Sequence, residues 1–119
     1  MKNKYIIVKS SGLVIVSIGD GEKPTLELLQ KSVGGYIEHV STPKAERRGI
    51  QLYCNDDFFG LDWNSLATRF INDQNDMVGA YLINGDVIIV GEENTTNGIE
   101  STWLDDDQVK YIIDELYHK

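Results

Sequence analysis

The stretch that most restricts the fold is MVGAYLINGDVIIVG, Met77 to Gly91. Two apolar runs, Met77–Ile83 and Val87–Val90, flank Asn84-Gly85, with Asp86 following. Asn-Gly between such runs predicts a two-residue hairpin turn with positive φ at both central positions. A one-residue slip of that pairing would turn every side chain to the wrong face, so the register is strongly specified. A chain built around such a hairpin is not all-helical, and its sheet is at least partly antiparallel.

Helices and strands alternate before and after it. Tyr5–Val8 and Leu13–Val16 read as short strands separated by a turn at Ser10-Ser11-Gly12. Pro24 suits a first helical position, Leu26, Leu29 and Val33 share one helical face, and Gly34-Gly35 predicts a left-handed cap. Tyr36–Val40 and Ile50–Tyr53 read as strands. Trp63, Leu66, Ala67, Phe70 and Ile71 form a second helical stripe, with Asp62 or Asn64 as its cap and Asn72–Asp76 as its stop. Residues 91–103 read as a polar loop. Asp105 with Gln108 three residues on predicts a capping box for a last helix whose stripe is Val109, Ile112, Ile113 and Leu116. The expected fold is α+β: one small domain over residues 1–119, with a mixed, mostly antiparallel sheet and about three helices.

Composition narrows the functions. The 119 residues carry 11 Lys and Arg against 19 Asp and Glu, a net charge of -8, which disfavours direct binding of duplex DNA. The charge is uneven: residues 86–119 hold nine acids against Lys110 and Lys119, whereas residues 1–50 are net basic. One cysteine, Cys54, and two histidines leave no disulfide framework and no Cys/His zinc site. No apolar run approaches the ~20 residues that span a bilayer, and the broken N-terminal run is not a signal peptide. A cytoplasmic protein with no membrane partner is therefore expected.

No nucleophile–base pair, paired catalytic carboxylates, metal motif or Walker motif emerges, so no catalytic residue, metal or cofactor is assigned. Gly19-Asp20-Gly21 lies between a strand and a helix as a dinucleotide fingerprint would, but Pro24 replaces its third glycine, and a Gly-rich turn is the better reading. Lys44, Arg47 and Arg48 form the dense basic cluster, in a loop opened by Pro43; paired guanidinium groups there suit phosphate binding. Tyr36, Tyr53 and Trp63 are either core aromatics or stacking surfaces for a base. Gly34 and Gly35 permit close approach of a strand or a ligand. Glu38 is either a solvated edge carboxylate or part of a site, with Arg69 as its partner if buried. Asn64 and Thr68, four apart, are either helix-capping and back-bonding groups or a polar pair facing a shallow pocket. His39 and Asp105–Asp107 read as structural.

Three stretches together resemble a small uncharacterised family, a domain of unknown function carried mostly by phages, prophages and plasmids. They are LLQKSVGGYIEHV (Leu28–Val40), FFGLDWNSLATRF (Phe58–Phe70) and MVGAYLINGDVIIVG (Met77–Gly91), with a weaker likeness in WLDDDQVKYI. The resemblance implies a mobile-element origin and a single small domain, and carries no established activity. It takes Glu38 and Asn64 into shared motifs. The expected function is non-catalytic counter-defence. A homo-oligomer would bind and sequester a small anionic, nucleotide-type immune signal in the host cytoplasm, through Gly34, Gly35, Tyr36, Glu38, Arg47, Arg48, Tyr53, Asn64 and Thr68. The alternative partner is a host defence protein, bound by an acidic surface that imitates nucleic acid.

Overall fold

A strand buried on both faces organises the molecule. The computed structural model describes residues 2–57, 60–76 and 81–117. Its elements run β1 (Lys4–Val8), β2 (Val14–Ile18), α1 (Leu26–Val33), β3 (Ile37–Val40), α2 (Pro43–Glu46), β4 (Ile50–Asn55), α3 (Ser65–Gln74), β5 (Val87–Thr95), β6 (Gly98–Thr102) and α4 (Asp106–Tyr117). The strands form one sheet in the order β2-β1-β5-β4-β3, with β6 pairing β5, and every pairing between these strands is antiparallel. The α+β architecture expected from the sequence is thus the observed one.

In β5 the continuous run Val87-Ile88-Ile89-Val90 is buried throughout, as a strand covered on both faces requires. Val87 and Ile89 join Ile6, Val8, Leu52, Phe70, Ile71, Leu104, Ile112 and Leu116 in the larger core, under α3 and α4. Ile88 and Val90 face the other way and pack with Leu29 and Val33 of α1, with Tyr5, Ile7, Ile37 and Tyr53 around them. One eight-residue helix is only ~12 Å long, so α1 leaves part of its sheet face open.

The capping signals hold at two helix ends. Asp105 Oδ1 accepts from the Gln108 amide at 2.8 Å and Gln108 Oε1 accepts from the Asp105 amide at 2.9 Å, the reciprocal capping box. Gly34 caps α1 in the left-handed region at φ 80°. The α1 N-cap is Thr25, which leaves Pro24 just outside the helix. Two further boundaries shift: α3 continues through Gln74, and the loop around Pro43 contains the one-turn helix α2.

The Asn84-Gly85 hairpin is overturned. Met77–Ala80 lie outside the described residues, but Tyr81–Ile83 are not a strand, and β5 pairs instead with β1, β4 and β6. Gly85 has φ 83°, whereas Asn84 does not take a positive φ, so the turn lacks its required geometry. The physical reason lies in α3. Asn64, Thr68 and Asn72 form a buried polar stripe at i, i+4 and i+8 that bonds the backbone of residues 81–85 as a neighbouring strand would. Asn72 Oδ1 accepts from the Tyr81 amide and Thr68 Oγ1 from the Ile83 amide, both at 2.9 Å. Asn72 Nδ2 donates to the Tyr81 carbonyl at 3.1 Å and Asn64 Nδ2 to the Gly85 carbonyl at 2.8 Å. β5 forms its hairpin with β6 instead, turning at Thr96-Asn97 inside the segment read as a polar loop. Its residues are polar because that arm carries the chain beyond the covering helices into solvent.

Candidate functional site

A cleft of about 580 Å³ lies on the open part of the α1 face. Its floor is Tyr5 and Ile7 of β1, on the side of the strand opposite the fully buried Ile6 and Val8. Leu28, Lys31, Ser32 and Val33 of α1 and the cap residue Gly34 form one wall; Lys9, Ser10, Gly60–Asp62 and Gly85-Asp86 close the other side. Asp86 fixes that second side. It accepts from the Ser10 amide at 2.9 Å and pairs with Lys9 Nζ at 3.3 Å, latching the β1–β2 turn to the start of β5. Ser32 is bonded to the Leu28 carbonyl at 2.7 Å. A second cavity of about 260 Å³, lined by Ile18, Asp20, Thr25 and Trp103, shares Tyr5 and Leu28 with the first. The two therefore lie in line along α1. Such a groove suits an elongated ligand with a flat apolar part against Tyr5 and an anionic part near Lys31, away from Asp62 and Asp86.

The nine residues singled out in the sequence do not converge. Gly34 alone lines this cleft. Gly35 packs against Asn55, whose side-chain amide donates to the Val33 carbonyl at 3.1 Å. Tyr36 is exposed. Glu38 is exposed on the edge strand and borders a separate cavity of about 350 Å³ with His39, Cys54 and Tyr81–Ile83. Arg69 is not its partner, being paired with Asp73 at 3.3 Å and bonded to the carbonyls of Glu115 and Leu116. Tyr53 donates from its hydroxyl to Gln51 at 2.9 Å and meets His39 edge-on at 5.6 Å. Arg47 and Arg48 precede β4 while Tyr36 lies opposite its far end, next to the residues paired with Asn55. Six residues of strand separate them, about 17 Å. The Arg48 guanidinium lies 4.0 Å over the Tyr111 ring, on the α4 side of the sheet and away from Tyr53.

Asn64 and Thr68 resolve toward structure. Asn64 has no exposed surface and both ends of its amide are engaged: Oδ1 accepts from the Ala67 amide at 3.0 Å, and Nδ2 donates to the Val8 and Gly85 carbonyls. Burial, helped by the Glu38 carboxylate, pushes the Cys54 thiol up to about 11, so it is an unreactive core group. Lys9, Lys31 and Tyr5 carried no sequence signal for a site. Lys9 reads as a strand-breaking residue and Lys31 as an ordinary last-turn helix cation, and only the approach of α1 to β1 brings them together.

A family profile described as a domain of unknown function, DUF3846, matches residues 1–117. The chain belongs to the DUF3846 family. The match takes in β1 and β2, which the motifs quoted above did not reach, and with them the floor of the cleft. No curated protein and no solved structure matches the chain. Among the described residues of this DUF3846 domain, no helix is long and apolar enough to cross a membrane.

Proposed function

We propose that this DUF3846 domain is a non-catalytic binding protein of phage, prophage or plasmid origin. It captures a small anionic, nucleotide-type ligand and so withdraws an immune signal from a host defence system. The cleft along α1 supports this reading: its volume lies within the range of ligand sites, and Tyr5 and aliphatic side chains line it together with Lys31 and the Lys9–Asp86 pair. Lys31 replaces Arg47 and Arg48 as the anion-binding group, because Lys9 is already paired with Asp86. A charge-assisted contact contributes about 1.5–3 kcal/mol, so Lys31→Ala should weaken binding by roughly ten- to a hundredfold. Arg47→Ala, remote from the cleft, should leave binding unchanged. Calorimetric titration of both variants with mono-, di- and cyclic nucleotides is the test, preceded by mass spectrometry of small molecules released from the purified protein. Equal affinity of Lys31→Ala and the parent would remove the cleft from consideration.

The second reading is an acidic inhibitor that docks on a basic host protein. It draws on Asp106 and Asp107, exposed at the start of α4, and on Glu46, Glu92 and Glu93, which line a 180 Å³ groove. Neutralising Asp106 and Asp107 would then slow association, most strongly at low salt.

A further inference from the structure

The two edges of the sheet are built differently. β3 is four residues long and presents Glu38 and His39 to solvent, charged or polar groups of the kind that discourage strand addition. β2, Val-Ile-Val-Ser-Ile, carries no charge, no proline and no bulge in its pairing with β1. Val16 is 44% and Ile18 72% exposed, and Leu13 beside them 57%. Among the described residues no strand pairs with the outer side of β2.

The backbone shows what that edge offers. The Lys9 amide donates to the Leu13 carbonyl at 2.8 Å and the Gly19 amide to the Asn3 carbonyl at 2.6 Å, so Leu13 and Gly19 bond inward to β1. By the alternation of an antiparallel ladder, Val14, Val16 and Ile18 aim their N–H and C=O groups outward. Side chains of the same three residues lie on one face, in register with Val8, Ile6 and Lys4.

We infer that β2 is a self-association edge, and that its occupant is β2 of a second copy of this chain. Antiparallel pairing about a two-fold axis at Val16 sets Val14 opposite Ile18 and Val16 opposite itself. All six outward backbone groups are then bonded, and only aliphatic side chains meet on that face. Charge favours the same partner. In a molecule of net charge -8, this uncharged strand sets no charged side chain against its own copy, and the residue brought opposite Asp20 is Gly12. A heterologous acidic or basic strand would gain nothing from so neutral an edge. The axis stands perpendicular to the sheet, so both α1 helices, and both clefts, open on the same side of one continuous sheet.

Light scattering and sedimentation over a wide concentration range test the inference. The parent should show twice the chain mass. Val16→Lys should be monomeric at the same concentrations, with an unchanged circular dichroism spectrum and a melting temperature that, unlike the parent's, does not rise with protein concentration. Should that variant not fold, Ile18→Lys alters a side chain that solvent already surrounds and gives the same reading. Val16→Cys should form a disulfide-linked dimer on oxidation, because a hydrogen-bonded pair sets its Cα atoms ~5.5 Å apart. Ser17→Cys, on the other face and not opposite itself, should not, and the native Cys54 is buried. A monomeric parent, a folded Val16→Lys dimer, or equal cross-linking at positions 16 and 17 would each overturn the inference.

Discussion

Gly34 and Gly35 are adjacent and serve unrelated purposes. At Gly34 the φ of 80° carries the cap, and a Cβ there would meet nothing within 4 Å. Gly34→Ala therefore adds backbone strain alone, costing about 1 kcal/mol or somewhat more. At Gly35 the φ is ordinary, but a Cβ would lie 2.8 Å from Asn55 Nδ2 and push that amide off the Val33 carbonyl. Gly35→Ala should be the more damaging, since it disturbs a buried hydrogen bond. Thermal melts of the two variants check the order; equal losses would mean that Asn55 yields freely. Cys54 gives a second prediction, in pH. Its thiol ionises near 9.0 in the unfolded chain and near 11 in the folded one. Between those values the unfolded state holds fewer protons, so stability falls as pH rises, and below pH 9 the thiol contributes no slope. Cys54→Ala lacks that decline. Its stability deficit, measured by urea unfolding, should shrink from pH 8 to pH 10.

At the scale of elements, α3 acts as a surrogate strand. Its Asn64–Thr68–Asn72 stripe gives residues 81–85 the hydrogen bonds that a sheet neighbour would otherwise supply. Thr68→Val removes the acceptor of the Ile83 amide and leaves that buried group unpaired, at a cost of about 1–3 kcal/mol. Thr68→Ser keeps the hydroxyl and loses a methyl, worth about 0.8 kcal/mol. Urea denaturation should rank Val as the more damaging; the reverse order would assign the position to packing. The same stripe explains which parts of the fold were legible. Asp105–Gln108, Gly34 and the α3 cap at Asn64 are local devices, spaced three or four residues apart, and sequence spacing suffices to find them. The run Tyr81–Ile83 has strand chemistry, but its partners lie across a helix, and Asn72 looks like a helix terminator until its amide is seen bonded to Tyr81. β6 hides for the opposite reason: a solvent-exposed hairpin has no apolar alternation to betray it. The cleft was illegible because Lys9 and Lys31 sit twenty-two positions apart on elements that only tertiary packing aligns.

For the whole molecule, charge and topology pull in different directions. The acidic residues gather in the last third of the chain, yet the cleft is walled largely by residues before position 35, where the chain is net basic. The topology places β5 between β1 and β4 although about eighty residues separate it from β1. That separation has a consequence for how the protein is made. A ribosome delivers β1, β2, β3 and β4 long before the strand that joins them, so a nascent chain holds two unconnected sheet fragments with Ile6, Val8, Leu52 and Cys54 still in water. Closure waits until residues 87–91 have left the exit tunnel, and then occurs on both flanks of one strand at once. Translation that stalls before that point releases a sticky half-product, whereas a few more codons yield a closed core. Long-range docking of this one strand is the non-local step that the topology makes slow, and the harmful place for a pause is downstream of Val87, while β5 is still inside the tunnel and β1 to β4 are already outside.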